Sequence, residues 1–194
     1  MLHEDFLHYM TVNKKLFEQC KKRDGRAQRE LYDLFKARLM GLCRRYTKDR
    51  DDAQDLLQDT FIKIFSRIDQ VSSEEKLEGW MLSVAVNTAI DFYRQKKRNE
   101  VFVSSTTDHD VADTAYELIL DNLTDEYLIQ LVNELPDGCR VVFNLSIVEG
   151  YSHQEISKLL DVTESTSRSQ LHYAKQLLKE KLSKVGIKHY EKYA

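Results

Sequence analysis

The clearest helix start signal in the chain precedes a run of short polar and basic side chains near its carboxyl end. Ser152 and Glu155 have the S-x-x-E spacing of a capping box, in which each side chain accepts a hydrogen bond from the other residue's backbone N–H. A second helical pattern follows after a very short turn, with Thr163 or Ser165 placed to cap it. Residues 151–182 therefore predict a helix-turn-helix, a motif that inserts its second helix into the major groove of DNA.

The outward side of this second helix carries mostly short hydrogen-bonding groups and two cations. Ser and Thr hydroxyls reach phosphates, whereas Arg and Gln side chains form bidentate contacts with guanine and adenine edges. From Thr163 to Lys184 five basic residues oppose two acidic ones, although the whole chain has a net charge of −3. The residues predicted to contact DNA are Ser165, Thr166, Arg168, Ser169, Gln170, His172 and Lys175. A helical hairpin with a solvated face of mixed charge is the alternative interpretation.

After a break at Asp24-Gly25, apolar side chains recur at helical spacing from Arg26 to Tyr46, which predicts one amphipathic helix.

An acidic helix face marks the next part of the chain. From residue 53 to residue 68 apolar side chains recur on one helix face, and Asp52, Asp55 and Asp59 lie on the other. By themselves these residues favour a merely solvated acidic face, because charge stripes on helices usually have no other role.

A third pattern, from Leu77 to Arg98, is apolar around most of the helix circumference and predicts the central helix of a bundle. One stripe of this helix stays polar and consists of Ser83, Asn87, Asp91, Arg94 and Arg98. Asn87 and Asp91 could form an internal polar pair, with Asp91 bonded to Arg94 on the next turn. Trp80, at the N-terminal end of the stripe, is interpreted mainly as a core residue.

The composition excludes several other classes of protein. One proline and 6 glycines among 194 residues predict an all-α fold, and the length suits two small modules. The 3 cysteines and 6 histidines lack ligand spacing, so we expect neither disulfides nor a metal site. No phosphate-binding loop or nucleophile–base pair is evident, and we expect no enzyme activity, cofactor or small-molecule substrate. The absence of a signal peptide and of about 18 consecutive apolar residues predicts a cytoplasmic protein.

A loss of helical period divides the chain into two modules. Residues 99–124 contain a stretch rich in Ser, Thr and Asp and are expected to be a flexible linker. The linker separates a module at 10–98 from a second module at 125–184, and residues 185–194 form a tail. In the second module Gly150 fits the position just after a helix end.

The two modules together resemble a known family. Residues 52–65 and 77–98 resemble conserved region 2 of bacterial sigma factors, and residues 135–182 resemble region 4, with no region 3 between them. This arrangement is typical of the extracytoplasmic-function (ECF) sigma factors. The resemblance implies two helical bundles joined by a flexible linker, and an alternative sigma factor that binds core RNA polymerase and directs promoter-specific transcription initiation.

The resemblance also implies roles for particular residues. Asp55, Gln58 and Asp59 would lie on the helix that docks onto a coiled coil of the polymerase β′ subunit. The helix from Leu77 would contact the non-template strand of the melted minus-ten element, and the loop at 70–76 would hold the flipped base. The implied minus-ten contacts are Asn87, Asp91, Arg94, Lys96, Lys97 and Arg98. Region 4 would read the minus-thirty-five element as duplex and bind the β flap, and an anti-sigma factor is an expected partner.

The second module departs from the family pattern at three positions of its recognition helix. Ser167 stands where the family often has a small apolar residue, and Gln170 and Tyr173 stand where arginines are frequent. The lower charge predicts weaker intrinsic DNA affinity or a different minus-thirty-five sequence. Two other functions remain to be distinguished. One is a helix-turn-helix regulator with an N-terminal sensing or dimerisation domain, and the other is a helical scaffold or anti-sigma-like protein without a nucleic-acid role.

Overall fold

The computed structural model describes residues 12–102 and 125–184, with side chains for 12–98 and 127–184. Every regular element in these ranges is a helix, which confirms the all-α prediction. The chain divides into two compact units between Asp91 and Phe92. The tail at 185–194 and most of the expected linker lie outside the described residues.

Four α-helices form the part of the chain that precedes the expected linker. They are α1 (Lys14–Lys21), α2 (Gly25–Tyr46), α3 (Arg50–Arg67) and α4 (Leu77–Phe102), with 3-10 turns at Ile68–Gln70 and Glu74–Lys76 between α3 and α4. The sequence patterns predicted the last three of these helices but not α1. Helix α4 also continues through 99–102, where we expected the linker to begin, since no glycine or proline interrupts this stretch.

Short polar side chains fix the starts of the first three helices. Asn13, Asp24 and Asp49 are their N-caps, and each accepts a hydrogen bond from a first-turn N–H, at 2.8, 2.9 and 2.7 Å respectively. Such caps satisfy amides that have no partner within the helix. The break that the sequence indicated at Asp24 is therefore a helix start, which positions the long α2 against α3.

The core of the first unit consists of apolar side chains from α1 to α4. The face of α3 that the sequence predicted to be apolar is buried, apart from half-buried Phe65. Tyr32 of α2 packs on Phe61 of α3 with ring centroids 4.6 Å apart. The largest fully buried side chains of this unit are Phe17, Leu31, Phe35, Leu39, Leu56, Ile64, Ile68, Leu77, Met81 and Ile90. This packing holds the opposite face of α3 toward solvent.

Two expectations about single residues have different outcomes. The three cysteines are free and buried, and burial raises the pKa of the Cys20 thiol to about 11 and that of Cys43 to about 12. Trp80 was expected in the core but is half-buried. It shares a helix face with Ser83, Asn87 and Asp91, which are all exposed, so its position on α4 prevents full burial.

Shorter helices build the second module. They are α5 (Asp125–Asn133), α6 (Asp137–Phe143), α7 (His153–Leu160) and α8 (Glu164–Lys184). Helix α6 runs on as a π-helical turn at Asn144–Val148, in which the Glu149 N–H donates to the Asn144 carbonyl at 3.0 Å. Gly150 follows with φ = 78°, as its predicted place after a helix end requires.

A buried arginine ties α5 to α6. Arg140 is 3% exposed, and its Nη1 donates to the carbonyls of Asn133 and Leu135 at 3.0 and 3.2 Å. Its Nη2 donates to Asp137 at 2.8 Å. The guanidinium thus satisfies carbonyls that the end of α5 leaves unpaired. Lys181 near the end of α8 pairs with Glu134 beside this junction.

No helix in the two described ranges has the length and apolar character needed to cross a lipid bilayer.

Candidate functional site

The predicted helix-turn-helix forms as α7, a three-residue turn and α8. Its capping box is complete: the Ser152 N–H donates to Glu155 Oε2 at 2.8 Å, and the Glu155 N–H donates to Ser152 Oγ at 3.3 Å. The hydrogen bonds from Ser152 hold the pKa of the Glu155 carboxyl below its usual range. Asp161 ends α7 in the left-handed conformation, at φ = 51°. Of the two candidate caps for α8, Thr163 fills the role, since its Oγ1 accepts from the Thr166 N–H at 3.0 Å.

The predicted DNA-contacting residues form one side of α8. Five of them are exposed, while Thr166 and Gln170 are half-buried. Arg168 pairs with Glu164 one turn earlier at 3.1 Å, and both side chains are exposed. An exposed pair of this kind contributes little, so the guanidinium can exchange it for a phosphate or a base edge. The exposed members are Ser165, Arg168, Ser169, His172 and Lys175.

Gln170 is partly withdrawn from that side. Its amide lies against Gly138 of α6, where a methyl group added to the glycine would come within 2.5 Å of Nε2. A larger residue at position 138 would therefore displace Gln170. The structure exposes Ser165, Arg168, Ser169, His172 and Lys175 on α8 and leaves Gln170 at the margin of the set.

Ser167 faces the interior of the motif. It is fully buried, and its Oγ lies 2.8 Å from Nδ1 of His153, the first residue of α7. The polar residue that departs from the family pattern thus has a specific partner. Sequence reasoning did not find this pair, because the two residues are fourteen positions apart on different helices.

Most of the predicted acidic face of α3 is exposed. Asp55, Gln58 and Asp59 are exposed on the face opposite the core, whereas Asp52 is half-buried. Ile62 lies on the same face, one helical turn after Gln58 and Asp59, and is 58% exposed. Sequence reasoning left this residue out of the predicted apolar face but missed its role, because it considered only the polar side chains of the opposite face as docking contacts. The α3 surface therefore combines carboxylates with an apolar centre.

The polar stripe of α4 is also on the surface. Ser83, Asn87 and Asp91 are exposed, and the Asn87 amide donates to the Ser83 carbonyl at 2.9 Å. Asp91 pairs with Lys63 of α3 at 3.0 Å, whereas the sequence had offered Arg94 on the next turn as its partner. Lys63, which sequence reasoning did not single out, thus lies beside the stripe on the neighbouring helix. At the end of the helix, Lys97 and Arg98 are exposed and Arg94 and Lys96 half-buried.

The loop at 70–76 is anchored at one end. Val71 is buried and its carbonyl accepts a hydrogen bond from Lys21 of α1 at 3.0 Å.

Within the described ranges no three His, Cys, Asp or Glu side chains are grouped closely enough to hold a metal ion.

Comparison with known proteins gives a consistent result. The model of Sigma-70 region 2 matches residues 31–99, and that of Sigma-70 region 4 matches residues 125–178, so the two together match more than half of the chain. The ECF RNA polymerase sigma factor SigW of Bacillus subtilis is 25% identical over 87% of this chain and 96% of its own length. The ECF RNA polymerase sigma-E factor of Haemophilus influenzae is 24% identical over 88% and 95%.

The chain is also similar to a third curated relative and to one solved structure. RNA polymerase sigma factor SigZ of Bacillus subtilis is 28% identical over 79% of this chain and 85% of its own length. The solved structure of CnrH in complex with the cytosolic domain of CnrY is similar with a TM-score of 0.46 and 19% identity, over 88% of this chain and 97% of that one. The regulator and scaffold alternatives do not account for a region 2 that precedes region 4. The chain belongs to the ECF subfamily of sigma-70-type RNA polymerase sigma factors, and is a non-enzymatic alternative sigma factor that directs transcription initiation.

Proposed function

We propose that three surfaces of this chain divide the work of initiation. The acidic face of α3 binds the β′ coiled coil of core polymerase, the polar stripe of α4 captures the melted minus-ten strand, and α8 reads the minus-thirty-five duplex. The observation that supports this division is that each surface is exposed on a helix whose opposite face is packed in a core. Packing of that kind presents the side chains in a fixed arrangement before any partner binds.

Docking on polymerase combines charge with apolar contact. Asp55 and Asp59 are one turn apart and would attract a basic helix, which speeds association and excludes acidic partners. Ile62 would be covered in the complex, since a large exposed apolar side chain inside a polar rim is the usual arrangement of an energetic centre in an interface. Gln58 lies between the two carboxylates along the helix, one turn before Ile62, and can bond to backbone or side-chain groups of the partner.

Strand capture at the minus-ten element uses the stripe of α4. Each base that leaves the stack costs a few kcal/mol, which must be offset by contacts that only a single strand can make. Asn87 keeps its side-chain oxygen on the surface while its amide is held by the helix, so it offers an acceptor to a base edge. Lys63 neutralises Asp91, which lowers the repulsion between that carboxylate and a phosphate. Arg94, Lys96, Lys97 and Arg98 would follow the strand backbone.

Duplex reading at the minus-thirty-five element uses α8. Ser165, Thr166 and Ser169 have the short hydroxyls that bond phosphates and fix the register, while Arg168 can reach a guanine. His172 and Lys175 continue the same side of the helix one turn further. The marginal place of Gln170 makes its contact with an adenine the weakest of the set.

The remaining partners follow from the same function. The β flap of polymerase would bind the second module, and an anti-sigma factor would cover the polymerase-binding surface when the protein is inactive. Because a sigma factor acts where polymerase meets the chromosome, we assign the protein to the cytoplasm. No cofactor or small-molecule substrate is required for any of these steps.

Transcription in vitro with core polymerase tests the proposal. The wild-type chain should bind core and support initiation from a cognate promoter, which a regulator that binds DNA alone would not do. The double variant Arg168→Glu/Lys175→Glu should bind core normally but lose most promoter-directed transcription, because α8 then repels the phosphates. A chain that fails to join core at low salt while folded would refute the proposal, as would a double variant that transcribes like wild type.

A further inference from the structure

A buried polar contact joins α7 and α8 near their amino-terminal ends. Ser167 lies in the first turn of α8 and has no exposed surface, and His153 is the first residue of α7. The 2.8 Å between His153 Nδ1 and Ser167 Oγ is a good hydrogen-bond distance. A hydroxyl can donate or accept, so the pair is satisfied whichever ring nitrogen carries the proton.

A buried serine at position 167 lowers the stability of the second module unless its hydroxyl has a hydrogen-bond partner. A hydroxyl buried without a partner is destabilising, and serine is a weaker helix former than alanine. An apolar side chain at position 167 would fill the space between α7 and α8 through van der Waals contact alone. The hydrogen bond adds direction, because it fixes the rotation of α8 about its own axis as well as its distance from α7.

Rotation of α8 matters because of what flanks Ser167. Arg168, the next residue along the helix, is the proposed contact with a guanine. Its tip lies roughly 5–6 Å from the helix axis, so a rotation of about 10° moves it by about 1 Å. A displacement of that size breaks bidentate geometry with a base edge, whereas a phosphate contact tolerates it.

We infer that the His153–Ser167 hydrogen bond is a positioning contact that gives α8 its selectivity among minus-thirty-five sequences. Neither residue touches a base. They act through Arg168 by holding α8 at one rotation. The inference rests on the proposed reading of the minus-thirty-five element by α8, and it concerns selectivity rather than overall DNA affinity.

The test compares two substitutions of His153 whose amide groups replace different nitrogens of the imidazole ring. In His153→Asn the amide occupies the place of Nδ1 and keeps the bond to Ser167, whereas in His153→Gln the amide reaches the place of Nε2 and loses it. Ser167→Ala removes the hydroxyl from the other side. Ser157→Ala is the matched control, since its hydroxyl bonds only to the Gln154 carbonyl within α7.

The measurement uses the full chain with core polymerase. A promoter library randomised at the minus-thirty-five element is transcribed by the wild type, and the enriched sequence is compared with a scrambled one for every variant. Ser167→Ala and His153→Gln should lower the ratio of transcription from the two templates about tenfold, as expected for one hydrogen bond. His153→Asn and Ser157→Ala should stay within about threefold of wild type. The salt dependence of DNA binding should be the same for all, because no phosphate contact is removed.

The outcomes separate the inference from the proposed function. If the wild type joins core but enriches no minus-thirty-five sequence, the reading by α8 is refuted and the inference falls with it. If the wild type is selective and His153→Gln matches His153→Asn, the hydrogen bond is not the positioning contact. A loss that is equal on enriched and scrambled templates would likewise overturn the inference, because it would reflect folding rather than position.

Discussion

In the first module the buried polar side chains are Thr47, Thr60 and Thr88, whose hydroxyls donate to carbonyls four residues earlier in the chain. Among the described residues of the second module they are Arg140, Asn144 and Ser167. Arg140 and Ser167 bond outside their own helices. Long helices bury enough apolar surface to fix one another, whereas helices of seven to nine residues, such as α5 to α7, do not. Directional bonds therefore supply part of the precision of the second module.

This difference matches the proposed tasks of the two modules. A charged docking face acts through its field and tolerates small shifts, while base reading depends on hydrogen-bond geometry. We therefore expect variants on the docking face of α3 to lose binding to core polymerase through changes in charge and apolar area. Variants in the second module should lose stability or selectivity through single polar contacts.

The largest effect should come from reversing the charge of the docking face. Asp55→Lys/Asp59→Lys should weaken binding to core polymerase on the order of a thousandfold, because two attractive contacts become repulsive. Binding can be measured with labelled sigma factor at constant ionic strength. The control is Glu18→Lys/Glu30→Lys, which makes the same change of charge at exposed positions of α1 and α2. Equal losses in both double variants would mean that net charge alone acts, and that α3 is not the docking helix.

Removal of the buried arginine should give the next largest effect, on stability rather than on docking. Arg140→Met should destabilise the second module by about 3 kcal/mol, because the Asn133 and Leu135 carbonyls and the Asp137 carboxylate lose their donor. Hydrogen exchange should show faster opening of α5 to α8 and unchanged protection of α1 to α3. Arg168→Met, at an exposed site, should change stability by less than about 0.5 kcal/mol. Full protection of α5 in Arg140→Met would show that apolar packing suffices.

Local sequence patterns predicted the helices and their faces, but not the contacts between separate helices. The acidic face, the apolar periodicity of α2 to α4 and the capping box are local patterns, and each one predicted an observed element. Arg140 and the His153–Ser167 pair are contacts between separate helices, and no spacing rule identifies them. Ile62 was missed for another reason. Helical spacing places it on the same face as Asp55, but only the polar side chains of that face were considered as docking contacts, and the structure shows Ile62 at 58% exposure there.

The apolar centre of the docking face should contribute less than its charges. Ile62→Ala should weaken core binding about tenfold, since most of an isoleucine side chain would no longer be buried in the complex. Ile62→Leu keeps the apolar area and should bind within about threefold of wild type. Because the residue is largely exposed, neither variant should change thermal stability noticeably. If Ile62→Ala bound core polymerase with wild-type affinity, only the charged side chains of the face would contribute to docking.

The smallest expected effect concerns the capping box, and it depends on pH. The hydrogen bonds from Ser152 lower the pKa of Glu155 in the folded state, so the carboxylate stabilises α7 above the ordinary glutamate pKa of about 4.3. This stabilisation is lost as pH falls through the lowered folded pKa. Glu155→Gln keeps a side-chain acceptor but does not titrate.

The wild type and Glu155→Gln should therefore differ in one pH window only. Hydrogen exchange of the first-turn amides of α7 should be slower in the wild type at pH 6. The ratio of the two rates should approach one once the pH lies below the lowered folded pKa of Glu155, where both side chains are neutral. The other carboxyl groups are common to both proteins and cancel in this ratio. A ratio that stays constant as the pH falls from 6 until Glu155 is protonated would mean that the Ser152 hydroxyl alone caps α7, and that the start of the helix-turn-helix does not depend on the charge of Glu155.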